Sequence, residues 1–478
     1  MRILLTGFSV LAIAGTAAAE TLRVPQDYES IAAAAAVAND GDTIVVSRGI
    51  YFENVTFTAS SLTIIGKKAI VDGTPGTSHG TAFTISGSGT TVQGFTFRNG
   101  STQLQVNGSN CVVKKCRFDA PRGTALNAAG ASSTTVSDCV VVGGASTGIV
   151  IGSGSVTRCS VRQGGSDAIV ANSSGAVISG CTVLLNTFGE AIDVSGGGAT
   201  VSGNRVAGSS GGIRIAGDAA IVEKNSITRI NLAGITVFGA DALVSGNTIV
   251  DAEGGIEVFG NSPDILGNRV SGTHDEYYGI YASGDDLAVA GNQVSHGYYY
   301  SIGIYVQSAS VTGGGFVDDN RVSDIDSGGI SVNGTGISVR RNRVAGCGNG
   351  YYQSGIFIAG TGHTVEDCSS DANRDTGFRV NGTGHVLRRC RAKNNTAFGF
   401  VVFGDGHTVD ASTAMGHAGG GIINLSNNLL VTNSTFLGNR QDVSIDPPGS
   451  ATFDPASTEN VFVTGGTDVP SQIWQADD

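Results

Sequence analysis

The chain of 478 residues carries 73 Gly, 28 Lys plus Arg and 40 Asp plus Glu, for a net charge of −12. Glycine at about twice the usual ~7%, without a three-residue period, excludes collagen, and the abundance of Val, Ile and Thr excludes general disorder. Dispersed arginines on an acidic chain exclude nucleic acid as the expected partner, since phosphate binding needs a basic surface.

Residues 1–19 read as a secretory signal: Arg2 gives the positive end, Ile3 to Ile13 the apolar stretch and Ala17-Ala18-Ala19 the small-residue cleavage site. No other segment is long and apolar enough to span a bilayer, so the expectation is an exported, periplasmic or extracellular monomer of bacterial type. Asp27 is expected to cap a short helix from Ile31 to Ala38, followed by strands from Thr43 and from Gly49.

From there the chain repeats. Cys116, Cys139, Cys159 and Cys181 stand 23, 20 and 22 residues apart, and Cys368 and Cys390 stand 22 apart. Where Cys pauses, Asn204, Asn225, Asn247, Asn268, Asn292, Asn320 and Asn342 take the slot, and Asp410 and Asn433 follow Cys390. The Cys are expected as free, buried thiols and the Asn as corner residues that bond backbone groups beside the core. A second phrase, of the form G-I-x-V, recurs from 148 to 421 in steps of 20, 23, 21, 22, 21, 24, 24, 26, 26, 22, 22 and 22 residues.

Short period-2 strands at that spacing mean a solenoid in which each coil buries its inward face only by stacking. The expected fold is all-β: a right-handed parallel β-helix of about 16 coils and a period of about 22 residues, with a short N-terminal capping helix. One domain covers 20–446, and 447–478 form a C-terminal capping segment and tail anchored by Phe453, Val461, Phe462 and Trp474.

The openings V-P-Q-D-Y-E-S-I, N-D-G-D-T-I-V-V and R-G-I-Y-F-E-N-V are similar to those of pectin-lyase-like proteins, including pectin methylesterases and the NosD type. From about 60 to 445 the chain resembles the right-handed β-helix repeat shared by carbohydrate-binding proteins, sugar hydrolases, lyases and uronate C5-epimerases. That resemblance implies a polysaccharide held along an outer strand face. The N-T-D, G-H-G and R-I-K phrases of the polygalacturonate hydrolases are absent, as is the D-P-H phrase of alginate epimerases.

On each G-I-x-V strand the variable residue faces out. The outward column is Asp193, Arg214, Thr236, Glu257, Tyr281, Tyr305, Ser331, Phe357, Arg379, with Phe238 and Phe259 two positions along. Aromatics at coil spacing suit sugar rings, and Asp, Glu and Arg suit hydroxyls or carboxylates. The loops before these strands swell where the tyrosines cluster, with His274, Asp275, Glu276, Tyr277 and Tyr278, then His296 and Tyr298 to Tyr300, then Tyr351 and Tyr352.

The expected substrate-binding set is Asp193, Arg214, Tyr277, Tyr278, Tyr281, Tyr299, Tyr305, Tyr351, Tyr352, Phe357 and Arg374. The expected catalytic candidates are His274, Asp275, Glu276, His296, Glu257 and Arg379. A uronate lyase or C5-epimerase would use His274 or His296 as base and Arg379, Arg374 or Arg214 against the sugar carboxylate. The alternatives are a non-catalytic glycan-binding or surface β-helix protein and a glycoside hydrolase with a carboxylate pair. Asp324 and Asp326 could hold Ca²⁺. His363, His385 and His407, 22 residues apart, are expected on surface turns, and the pairs Asp285-Asp286 and Asp318-Asp319 in solvated bends.

Overall fold

The computed structural model describes residues 18–74, 80–144, 146–274, 277–308, 314–348, 354–445, 450–453 and 461–463. Nearly all of the expected leader, the Asp446 to Gly449 stop and Trp474 lie outside those residues. Among the described residues no helix is long and apolar enough to cross a membrane.

Each coil contributes three short strands, as in Val177–Ser179, Thr182–Leu184 and Glu190–Val194. Stacked coil on coil they make three parallel ladders. The first ladder is a 20-stranded sheet; the second and third merge into a 35-stranded sheet. Continuous strands such as Ser226–Phe238 and Thr248–Phe259 run through both of the merged ladders. The stack is taller than the expected 16 coils because the cap strand Thr21–Val24 and the coils before residue 148 join the ladders without the G-I-x-V phrase.

Alternation along the strands sets the core. The inward residues of the G-I-x-V strands, among them Ile192, Ile213, Ile235, Ile256, Ile280 and Ile304, are fully buried and in register. The glycine that opens the phrase is set by close approach: a Cβ on Gly212 would collide with the carbonyl oxygen of Gly234 in the next coil.

The corners are held by side-chain ladders. Between the first and second ladders, Asn225 donates to Asn247 Oδ1 at 3.0 Å and to the Val201 carbonyl at 2.9 Å. The Asn225 backbone N–H also donates to Asn247 Oδ1, at 2.9 Å. The same arrangement runs from Asn204 to Asn342, so no amide in it is left bare at a cost of about 1–3 kcal/mol. All eight Cys are free and buried, and those of this corner bond carbonyl oxygens weakly through Sγ. Beyond Cys390 the slot belongs to Ser412 and Ser434, whose hydroxyls accept the N–H groups of the preceding coil. The expected Asp410 lies two residues before the slot and accepts Arg388 and Thr432, and Asn433 lies one residue before it.

The histidines overturn the surface-turn expectation. His363, His385 and His407 are 0%, 0% and 1% exposed, their rings stacked at 5.0 Å. Gly362, Gly384 and Gly406 turn through φ of +65°, +66° and +66° just before them and aim the next side chain inward. Each imidazole then does what Asn does at the other corner. His385 Nδ1 accepts the His363 N–H at 3.1 Å, and its Nε2 lies 3.1 Å from the Asn381 carbonyl. That pattern requires the neutral ring with its proton on Nε2. Burial accordingly pushes all three imidazoles below their ordinary value, His385 to about 4.

Three smaller expectations also change. The N-cap of helix Ile31–Val37 is Ser30, whose side chain accepts the Ala33 N–H, while Glu53 of the first coil accepts the Ile31 and Ala32 N–H groups. Asp27 instead accepts the Arg23 N–H. Asp318 is no solvated bend: it is 6% exposed and paired with Arg341 and Arg340. The ladders also continue past 446, with Ala451–Phe453 and Val461–Val463 pairing in parallel onto the preceding coil.

Candidate functional site

The third ladder places the outward column as its sequence predicts. Asp193 stacks on Arg214, then Thr236, Glu257, Tyr281, Tyr305, Ser331, Phe357 and Arg379, one residue per coil. Strand spacing sets these side chains about 4.8 Å apart along the helix axis.

Phe238 and Phe259, two positions along their strands, form one continuous run with Tyr281 and Tyr305. Ring centroids lie 5.0 Å apart for Phe238 and Phe259, 5.1 Å for Phe259 and Tyr281, and 5.7 Å for Tyr281 and Tyr305. Tyr278, from the strand start, sits 5.1 Å from Tyr281 and 5.2 Å from Tyr305 and widens the surface. Phe238 is 42% exposed and the other four are half-buried. These partly exposed rings stand on a rigid sheet, at little cost in ordering on binding.

Charged groups bracket this run. Arg214 bonds Asp193 at 3.0 Å and lies 5.7 Å from the Phe238 ring centroid, joining an acidic end to the aromatic one. Glu190, three residues before Asp193, was not singled out from the sequence. Burial, with Asp193 and Asp167 close by, pushes its carboxyl above the ordinary value, against the pull of Arg214. In the column three residues before the outward one it follows Asp167 and precedes Gly211, Ala233, Gly254, Tyr278 and Ile302; writing out that column would have found the two adjacent carboxylates. Burial likewise raises the carboxyl of Glu257 and the phenol of Tyr278.

Past Tyr305 the face hollows into a cavity of about 290 Å³ between Ile302, Ile330, Ser354, Phe357 and Arg379. Ser354 is 3% exposed and its Oγ has no hydrogen-bond partner among the described residues. No sequence signal pointed to Ser354, because the residue before G-I-x-V varies freely. The Arg379 guanidinium lies 5.1 Å from the Phe403 ring centroid.

The expected catalytic groups do not all meet. His274 reaches back to Asp251 at 3.7 Å, and His296 is exposed near the end of strand Gln293–Gly297, at φ +57°. Arg379 stands four coils beyond Tyr281, whose strand follows the His274 loop; four coil steps are about 19 Å. Glu257 by contrast lies one coil from Tyr281. Arg374 pairs with Asp326 at 3.7 Å, and Asp324 is exposed. Among the described residues no group of three or more His, Cys, Asp or Glu is arranged to hold a metal ion. Tyr277 is half-buried, Tyr299 is 68% exposed, and Asp275, Glu276, Tyr351 and Tyr352 lie outside the described residues.

No curated protein matches the chain. Among solved structures, the catalytic domain of a GH87 alpha-1,3-glucanase in complex with tetrasaccharides is 12% identical, covering 91% of this chain and 68% of that one, with a TM-score of 0.33. The periplasmic alginate epimerase AlgG is 12% identical over 73% of this chain and 77% of its own, TM-score 0.29. The PL6 family alginate lyase AlyGC is 10% identical over 91% and 99%, TM-score 0.31. No residue role is carried from them to this chain. The family described as right handed beta helix region matches residues 37–206, 190–344, 278–440 and 354–466, and the chain belongs to that family.

Proposed function

We propose that the protein binds a polysaccharide along the outer face of the third ladder, between Asp193 and Arg379. The observation that carries this is the unbroken run Phe238, Phe259, Tyr281, Tyr305, with neighbouring centroids 5.0 to 5.7 Å apart. Sugar rings present apolar C–H faces that stack on aromatic rings, and their hydroxyls would meet Glu257 and Arg214 at the margins. An exported glycan-binding β-helix protein is the reading that these features support best. Isothermal titration with neutral oligosaccharides, which the arginine strip described below would not hold, tests it: Tyr281→Ala with Tyr305→Ala should abolish binding while the fold is kept. Binding unchanged in that variant would remove the reading.

A second reading is catalysis in the same groove, by uronate lyase or C5-epimerase chemistry or by glycoside hydrolysis. It draws on Glu257 and Glu190, whose carboxyls burial raises above the ordinary value; they stand three coils apart, about 14 Å, so each would act singly and not as a hydrolase pair. Proton NMR of a polysaccharide panel incubated with the protein, with and without Ca²⁺, would reveal an unsaturated end, an inverted C5 centre or a new reducing end. Unchanged spectra on every substrate would leave binding alone.

A further inference from the structure

The second ladder carries a different outward face. Its first outward column runs Arg269, Gln293, Arg321, Arg343, Ser369, Arg391 in register over six successive coils. The second column runs Ser271, Ser295, Ser323, Ala345, Asp371, Lys393 over the same coils. Arg269, Arg321, Arg343, Arg391 and Lys393 are all exposed, and Asp371 is the single carboxylate in these two columns. On a chain of net charge −12 this strip is basic.

Stacked like charges repel across neighbouring strands, and in and beside this strip the protein neutralises some of them. Arg389 bonds Asp367 at 2.7 Å, Arg388 bonds Asp410 at 3.1 Å, and Arg391 bonds Asp371. Arg321 and Arg343, on adjacent coils, have no ion-pair partner among the described residues. They line a trough of about 690 Å³ with Ser323 and Ser369 and with the ion pairs Arg389–Asp367 and Arg391–Asp371, whose charges cancel and leave Arg321 and Arg343 as its net charge. Two guanidinium forks about 4.8 Å apart along the axis present paired donors to oxyanions repeated along a chain.

We propose that this strip is a second glycan site, which takes an acidic polysaccharide lying along the helix axis with its carboxylates or sulfates on Arg321 and Arg343. It does not rest on the aromatic groove and would stand if that groove bound nothing. Affinity electrophoresis of the full chain tests it, in gels holding polygalacturonate, chondroitin sulfate, a neutral cellulose ether or single-stranded DNA.

Retardation by polygalacturonate or chondroitin sulfate is expected, and which of them acts tells carboxylate from sulfate. Arg321→Gln with Arg343→Gln should weaken it at least tenfold, and raised salt should weaken it in the parent. Tyr281→Ala with Tyr305→Ala should leave it intact. Far-ultraviolet circular dichroism confirms that the exposed substitutions leave the coils folded. The proposal is overturned if neither acidic polymer retards the protein or if the arginine variant is retarded equally. Loss of retardation in the tyrosine variant would move acidic-glycan binding to the groove, and equal retardation by DNA would assign the strip to phosphates; each also overturns it.

Discussion

The third ladder before residue 190 and the same ladder after it have the same inward face and different outward ones. Leu104, Leu126 and Ile149 fill the core in the early coils as Ile192, Ile213 and Ile235 do in the later ones, all of them buried and in register. Outward, the early coils show Thr84, Gln105, Asn127, Val150 and Val170, which are small or uncharged. The later coils show Asp193, Arg214, Glu257, Tyr281, Tyr305, Phe357 and Arg379. Stacking needs nothing from the outward residues, since the early coils stack without such groups. The concentration of aromatic and charged side chains therefore calls for a cause outside the fold, and a bound ligand supplies one.

The sharpest way to break this division is at a corner. Asn247→Ala removes the acceptor for two Asn225 donors and the donor to the Val222 carbonyl. It should cost about 3 kcal/mol or more of unfolding free energy in urea titration. Gln105→Ala, an outward change, should cost less than about 0.5 kcal/mol. Similar costs for the two would dissolve the distinction between inward and outward residues.

The acid side of the stability profile comes next. The neutral His363–His385–His407 stack resists protonation, whereas the unfolded chain protonates near the ordinary 6.5. Stability should therefore hold above pH 6.5 and fall as pH drops from 6.5 toward about 4, where His385 itself takes a proton. Urea midpoints across that window check the sign. A stability that rises on acidification there would contradict the buried neutral stack.

On the groove, single Tyr281→Ala or Tyr305→Ala variants should each weaken oligosaccharide binding about tenfold, or ~1.4 kcal/mol, with little change in the urea midpoint. A small effect is also expected of Asp193→Asn. Its bond to Arg214 is partly exposed, so stability should change by less than about 1 kcal/mol. A larger loss would make the acidic end of the groove part of the scaffold.

Much of this was legible in the sequence because burial writes itself as period. The inward Ile and Val columns, the Asn corner and the outward column all follow from a coil length and a strand alternation. What escaped has a local cause. A G-H step does not say which way its side chain points, and the positive φ of Gly384 sends His385 inward. Ser412 replaces Cys or Asn because a hydroxyl accepts the same N–H, which no residue-type pattern discloses. Glu190 was missed because it precedes the repeating phrase, and the distance between His274 and Arg379 because counting loop residues does not count coils.

The most direct test of the central claim is isothermal titration of one panel of neutral oligosaccharides into three proteins: the parent, the variant with Tyr281→Ala and Tyr305→Ala, and the variant with Gln105→Ala and Asn127→Ala. The account predicts binding by the parent, unchanged binding by the early-coil variant and its loss in the tyrosine variant. Equal binding by all three, or equal loss in both variants, would contradict it.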